Sequence, residues 1–416
     1  MRVTTVLNHL LALQGASVRE VSFGSDTVVV TVALRRRLLH CPHCGYSTSF
    51  RYDTRDVDSR WRHLDLGAWA LVITARLRRL RCPVHGVVTE GVPFARAGSG
   101  FTSDFEDLVA FCAAKMDRTS VGRLLRVAWR TVGAICARVV ASHIDPGRLD
   151  GLFEIGIDEI SWRRHHRYIT LVSDHRSGKV VWGGEGRGRK TADRFFDELG
   201  KERSGKLTAV SMDMAEGYRE SVRAQGHAPQ AEICFDPFHV VSMATRALDE
   251  VRREGWRLLR QVDPRLAKMF RGWRWVLLKN PENLSPRQAA LLEAIRRDGG
   301  LLWRAYQLKE ALRGIFAGDL SVEEARELLE SWCERAQTSG MRAFAKLAGT
   351  VHAHIDGILA ALRVGLTNAR AEGINTKVRL VTRRAYGFHS AEAVIALVML
   401  TCGPVTLRLP YERLRR

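Results

Sequence analysis

The sequence predicts an α/β protein whose mixed five-stranded sheet is interrupted by an all-α insertion and preceded by a small β module and three short helices. Three observations predict it. β-Branched runs with period-two alternation fill the first 95 residues. Strands and helices alternate between residues 152 and 250, and Leu and Ala then recur at spacings of three and four from about Arg246 to Leu366.

Composition bounds the rest. A chain of 416 residues suggests two or three domains, and 46% hydrophobic with 26% charged residues excludes disorder as the main state. Lys and Arg number 65 against 45 Asp and Glu, a net charge of +20. An imbalance of this size points to a polyanion, with nucleic acid favoured over an anionic membrane surface, because each cation laid on a phosphate releases a condensed counterion. No segment reaches the roughly 18 uncharged apolar residues of a membrane span, and the N-terminus lacks a cleavable leader pattern. The expectation is a cytoplasmic protein with no membrane partner. Cys112, Cys136, Cys234, Cys333 and Cys402 are scattered in apolar surroundings, as buried thiols are.

The module at 1–95 contains strands at Asp26–Leu34 and Ala68–Leu80, each leading into a knuckle. Cys41-Pro-His-Cys44-Gly45 follows the first and Cys82-Pro-Val-His85-Gly86 the second. Proline shapes the turn and glycine lets the backbone fold back around an ion. Three thiolates and one imidazole make a closed tetrahedral set, so Cys41, Cys44, Cys82 and His85 are expected to hold a structural Zn²⁺. His85 is preferred to His43 on the symmetry of the knuckles.

Residues 96–148 open with a Gly-rich joint, Arg96–Phe101, and continue as three helices starting near Thr102, Thr119 and Trp129. Short helices joined by a tight turn, the last with Arg130 and Thr131 at its start, resemble a helix-turn-helix. Arg126, Arg130 and Thr131 are the expected DNA contacts.

From Gly151 the rhythm is strand Leu152–Glu159, strand Arg167–Asp174, strand Lys179–Trp182, helix Lys190–Leu199, strand Leu207–Met212, helix Ala215–Gln225, strand Ala231–Phe235 and a helix from Pro237. That order is the order of a ribonuclease H-like core, with its first part at 150–250, the helical insertion at 251–365 and its second part at 366–416. Asp158 closes the first strand and Asp213 the fourth, which are neighbours in such a sheet. A third acid from a helix completes a site for two hard divalent ions, Mg²⁺ or Mn²⁺, which carboxylate oxygens suit. Glu372 is the candidate, with Asn375 one turn and Arg379 two turns further along the same helix face.

Taken together these motifs resemble the DDE transposases of the ISL-three group of bacterial insertion sequences. The resemblance rests on the paired knuckles, Trp129–Val132, Ile157-Asp-Glu159, Met212-Asp-Met214 with Tyr218, Phe235-Asp-Pro-Phe-His-Val240, Ala371-Glu-Gly-Ile-Asn375 and Arg383–Phe388, and it covers nearly the whole chain. It implies recognition of terminal inverted repeats on double-stranded DNA, metal-dependent cleavage leaving a 3′-hydroxyl, and strand transfer of that hydroxyl into target DNA. It places the acid triad on Asp158, Asp213 and Glu372, and phosphate contacts on Lys377 and Arg379. Asp236 and His239 match a D-x-x-H motif. His239 either orients the phosphate or protonates the leaving oxygen, or the pair tethers the helix to the sheet. The fourth zinc ligand is His85 where the family usually shows Cys, and Arg379 stands where relatives often place Lys. Pairing two DNA ends implies a homo-oligomer in the synaptic complex. The alternative is a domesticated regulator that keeps the zinc module and helix-turn-helix without catalysis.

Overall fold

Val18, Val28, Val30, Val32, Leu71 and Ile73 alternate inward along three strands and make the first core. In the computed structural model, which describes residues 2–163, 167–366, 369–385 and 387–413, the chain divides into two compact units. Side chains at 369–372, 375 and 413 lie outside that description.

The first unit comprises residues 1–148 and 377–416. Its four-stranded sheet runs in the order Ala16–Phe23, Thr27–Leu34, Ala70–Ala75, Ser59–Arg62, and the helix Val3–Leu11 packs on the first strand. The strand Ala16–Phe23 escapes sequence reading because a bulge between Val18 and Glu20 breaks its period of two. The single strand expected over Ala68–Leu80 is two. Ala70–Ala75 belongs to the four-stranded sheet, while Arg78–Cys82 joins Asp53–Thr54 and Gly86–Thr89 in another. Exposed Arg76 and buried Leu77 carry the chain from one sheet to the other, so one alternating run serves two partners.

Helices Ser103–Lys115, Arg118–Leu125 and Trp129–His143 follow. Thr102 and Asp117 cap the first two by accepting from Phe105 and Ser120 backbone N–H groups. Between the last two, Arg126 takes a left-handed conformation (φ 53°), and a Cβ on Gly122 would lie 2.8 Å from the Val127 carbonyl oxygen. That approach sets the tight turn. The helix Ala391–Cys402 packs on Trp129–His143 within this unit.

The second unit, Leu149–Thr376, contains the five-stranded sheet. Glu154–Arg163, Arg167–Asp174 and Lys179–Glu185 form an antiparallel meander. Ala209–Met212 adds parallel to the first of these and Glu232–Phe235 parallel to it in turn, giving the spatial order third, second, first, fourth, fifth. This is the ribonuclease H-like arrangement. Phe195, Phe196, Leu199, Tyr218 and Val222 cover the sheet from the helices Arg189–Leu199 and Glu216–Arg223.

The helix Pro237–Val262 has 26 residues. At 1.5 Å per residue it is about 39 Å long and carries the sheet's core into the all-α insertion. Val240, Ala244 and Leu248 share one apolar cluster with Leu312, Trp332 and Phe344 of later helices. Gly357 in the helix Ile355–Val364 lies against the fifth strand so closely that a Cβ would run into the Phe235 ring.

Candidate active site and zinc centre

The parallel ladder pairs Gly156 with Ser211 and, one strand over, Met212 with Phe235. Carried on in the same register, it sets Asp158 beside Asp213 and Asp213 beside Asp236. Asp213 and Asp236 directly follow their strands, whereas Asp158, expected to close its strand, lies midway along Glu154–Arg163, because that strand runs on past it in its antiparallel ladder with Arg167–Asp174. Asp158, Asp213, Asp236 and His239 line one cavity of about 30 Å³, floored by Gly156, Ser173 and Ser211. The helix Ala369–Arg384 reaches this cavity through buried Ile374. The side chain of Glu372, in the same helix, lies outside the described residues.

Asp236 caps the helix Pro237–Val262 through the Phe238 N–H, which fixes the helix start and aims His239, one turn on, back at the strand ends. His239 Nδ1 stands 2.8 Å from both Asp213 Oδ1 and Asp236 Oδ2. One N–H shared between two carboxylates aligns well with neither: Asp213 Oδ1 and His239 Nδ1 are buried without a hydrogen bond. Burial pushes the imidazole down, but Asp213 and Asp236 overcome it and raise His239 to about 10. Asp213 Oδ1 is thus a buried carboxylate oxygen without a hydrogen bond, the donor chemistry that suits a hard divalent cation.

Sequence reasoning missed the layer beneath. Buried His175 lies 2.7 Å from Ser211 Oγ, and a Cβ on Gly156 would meet Ser173, Ser211 and His175 at 3.1–3.2 Å. Glu159 points to the other face, where burial and then the neighbouring Asp213 and Asp158 raise its carboxyl while Arg187 and the Tyr218 hydroxyl, 3.4 Å away, oppose this. The -Ile-Gly-Ile-Asp- pattern, with glycine in an otherwise bulky buried strand, was the available signal for a crowded polar floor.

In the first unit the knuckles meet. Ligand atoms of Cys41, Cys44, Cys82 and His85 all lie within 4.8 Å of one another. Cys44 and Cys82 sulfurs are 3.5 Å apart, and His85 Nδ1 lies 3.7 Å from Cys41 Sγ and 3.6 Å from Cys82 Sγ. A tetrahedron with Zn–S bonds of about 2.3 Å has edges near 3.7 Å, so the set fits zinc. Gly45 and Gly86 take φ of 71° and 68°, the left-handed turn each knuckle needs. Burial would raise Cys82, but the His85 backbone and ring and the Val84 N–H bring it down to about 6, toward the metal-binding thiolate.

Of the expected DNA contacts, Arg130 is exposed with its guanidinium 5.4 Å from the Trp129 ring centre, and Thr131 is half-buried beside it. Arg126 is committed within its own unit: it pairs with Asp65 and donates to the Ala68 carbonyl at 3.0 Å. Lys377 and Arg379 are exposed on their helix. No described helix is long and apolar enough to cross a membrane.

Comparison with known proteins identifies the family. Residues 155–398 match the ISL3 DDE family, described as "Transposase". Residues 90–140 match the helix-turn-helix domain of transposase family ISL3, and residues 37–85 the zinc-finger of transposase IS204/IS1001/IS1096/IS1165. Aligned over 441 positions, 99% of this chain and 98% of the relative, the sequence is 40% identical to the transposase for insertion sequence element IS1557 of Mycobacterium tuberculosis, in strains CDC 1551 and H37Rv alike. It is 31% identical over 397 positions, 93% of this chain and 95% of the relative, to the transposase for insertion sequence element IS1001 of Bordetella parapertussis. With its ribonuclease H-like sheet, its zinc module and its helix-turn-helix, the chain belongs to the ISL3 family of DDE transposases, the DNA transposases of bacterial insertion sequences.

Proposed function

We propose that Asp158, Asp213 and Glu372 form the acid triad of this transposase and that the chain cuts and joins DNA at the ends of its own element. The observation that carries the reading is the parallel register of two adjacent strands, which brings Asp158 and Asp213 to one cavity that the helix of Glu372 also lines through Ile374. Those three carboxylates would hold Mg²⁺ or Mn²⁺. Two such ions, when bound, stabilise the attacking and leaving oxygens of an in-line phosphoryl displacement. The rest falls to the chain. The carboxylates fix the charge of the pocket, and His239, with Nδ1 set 2.8 Å from both Asp213 and Asp236, orients the phosphate through its other ring edge. Asp236 holds that ring in place from the helix cap.

Arg130 and Thr131, at the exposed start of Trp129–His143, read or grip the terminal repeats, and Lys377 and Arg379 bind phosphate. Arg126 shapes the turn through Asp65 and contributes to DNA only if that pair opens. Zinc holds the knuckles and takes no part in the reaction. Two ends are joined by a pair of chains or a larger homo-oligomer in the bacterial cytoplasm, at the nucleoid.

The test uses a duplex carrying the element's terminus, incubated with the full chain and Mg²⁺. Wild type nicks it at the element boundary. Asp213→Asn and Glu372→Gln bind with unchanged affinity and cut at least about 10³-fold more slowly, the scale of losing charge stabilisation at the reacting oxygens. Wild-type binding without cleavage in Mg²⁺ or Mn²⁺ favours a DNA-binding regulator instead.

A further inference from the structure

Asp236 also walls a second cavity, of about 570 Å³, on the insertion side of the strand ends. The helix Pro237–Val262 contributes Phe238, Val241 and Ser242, the helix Gly300–Ala317 contributes Arg313 and Phe316, and Leu362 closes the far side. The volume lies in the range of about 300–1,000 Å³ that takes a single ligand-sized group. Phe238 is 54% exposed and its ring centre is 6.2 Å from that of His239, so the second cavity has an exposed aromatic ring beside a residue that lines the first. Arg313 is held by Glu310 at 2.8 Å and Glu282 at 3.3 Å, which offsets its charge and fixes its place. Apolar walls with a neutralised guanidinium and a serine hydroxyl suit a flat group with a hydrogen-bonding edge, and disfavour a free phosphate.

We propose that this cavity receives one base extruded from the DNA duplex next to the phosphate at the carboxylates, with Phe238 as its stacking platform. The proposal rests on the assignment of Asp158 and Asp213 to the cleavage site, whose cavity shares Asp236 as a wall with this one. Extrusion unstacks one nucleotide, and the freed backbone can then bring its phosphate down to carboxylates that a regular duplex would hold at a distance. A base stacks on any aromatic face regardless of sequence, so the cavity serves positioning rather than recognition.

Terminal duplexes with an abasic residue scanned through the positions flanking the cut, and matching duplexes with 2-aminopurine there, test it on the full chain. Ser242→Trp, which fills the cavity, and Phe238→Ala should bind normally and cut paired DNA about tenfold more slowly, the scale of one lost stack. At one flanking position the abasic duplex should restore Phe238→Ala to within about twofold of wild type, because nothing remains to be unstacked. Phe238→Leu, which keeps the bulk without the aromatic face, replaces Phe238→Ala if that chain does not fold. Wild-type rates in both variants on every duplex, or no rescuing position, overturn the proposal. If wild type cuts nothing, the triad assignment fails separately. The cavity is then judged by fluorescence alone: brightening of 2-aminopurine on binding wild type but not Ser242→Trp supports it, and equal signals overturn it.

Discussion

His63 is buried to 5% exposure with Nδ1 2.8 Å from Thr102 Oγ1, where it joins the β module to the first helix of the helix-turn-helix. Burial, opposed by Asp104 and aided by Arg62, lowers its affinity for a proton. The folded chain therefore keeps it neutral, while the unfolded chain protonates it near 6.5. Its stability contribution is complete above about 6.5 and is lost as pH falls from there toward the lower folded-state value. Between about pH 7 and pH 5, His63→Gln should lose less Tm than wild type. Identical losses in the two proteins would show that His63 does not titrate on unfolding. The zinc residues allow a sharper check. Metal analysis should find one zinc per chain in wild type and in His85→Cys, since either residue closes a tetrahedral set, but none in Cys82→Ser. Zinc retained by Cys82→Ser would remove that thiol from the site. Both knuckles were legible as motifs because each packs its ligands, turn proline and glycine into five consecutive residues.

At the scale of elements, the Gly-rich joint expected to separate the module from the helices is instead anchored. Arg96 pairs with Glu106 at 3.1 Å and Asp107 at 2.6 Å, both almost fully buried, and Arg138 reaches Glu106 at 2.7 Å from the helix Trp129–His143. Ser99 adds a hydrogen bond to the same carboxylate at 2.7 Å. Removing one partner of a buried network strands the others without water, so Glu106→Ala should destabilise the first unit by about 3–5 kcal/mol. Denaturant unfolding of the full chain would measure it, and a loss under about 1 kcal/mol would mean that water replaces the carboxylate. Nothing in the spacing of Arg96, Glu106 and Arg138 announced this network, because its members come from a joint and two separate helices. The helices themselves were legible from caps and apolar periodicity. The split of Ala68–Leu80 was not, since period-two alternation continues unbroken while the hydrogen-bond partner changes.

For the whole molecule, the net charge of +20 is the property that governs encounter with DNA. Affinity for a terminal duplex should fall steeply with salt, and Arg130→Ala should lower the slope of log K against log[salt] by about 0.9, the value of one phosphate contact. An unchanged slope would take Arg130 off the backbone. The succession of strands and helices, the acid after the fourth strand and the knuckles were written locally, in hydrophobic period, turn residues and ligand spacing, and could be read without coordinates; the extension of the first strand past Asp158 could not. Folding alone decided that Asp236 completes a row with Asp158 and Asp213, that His239 faces two carboxylates at once, and that residues 377–416 pack with the N-terminal unit. Each of these depends on register and on packing between segments far apart in the chain, and a linear pattern carries no record of which distant backbone a strand or helix will pair with.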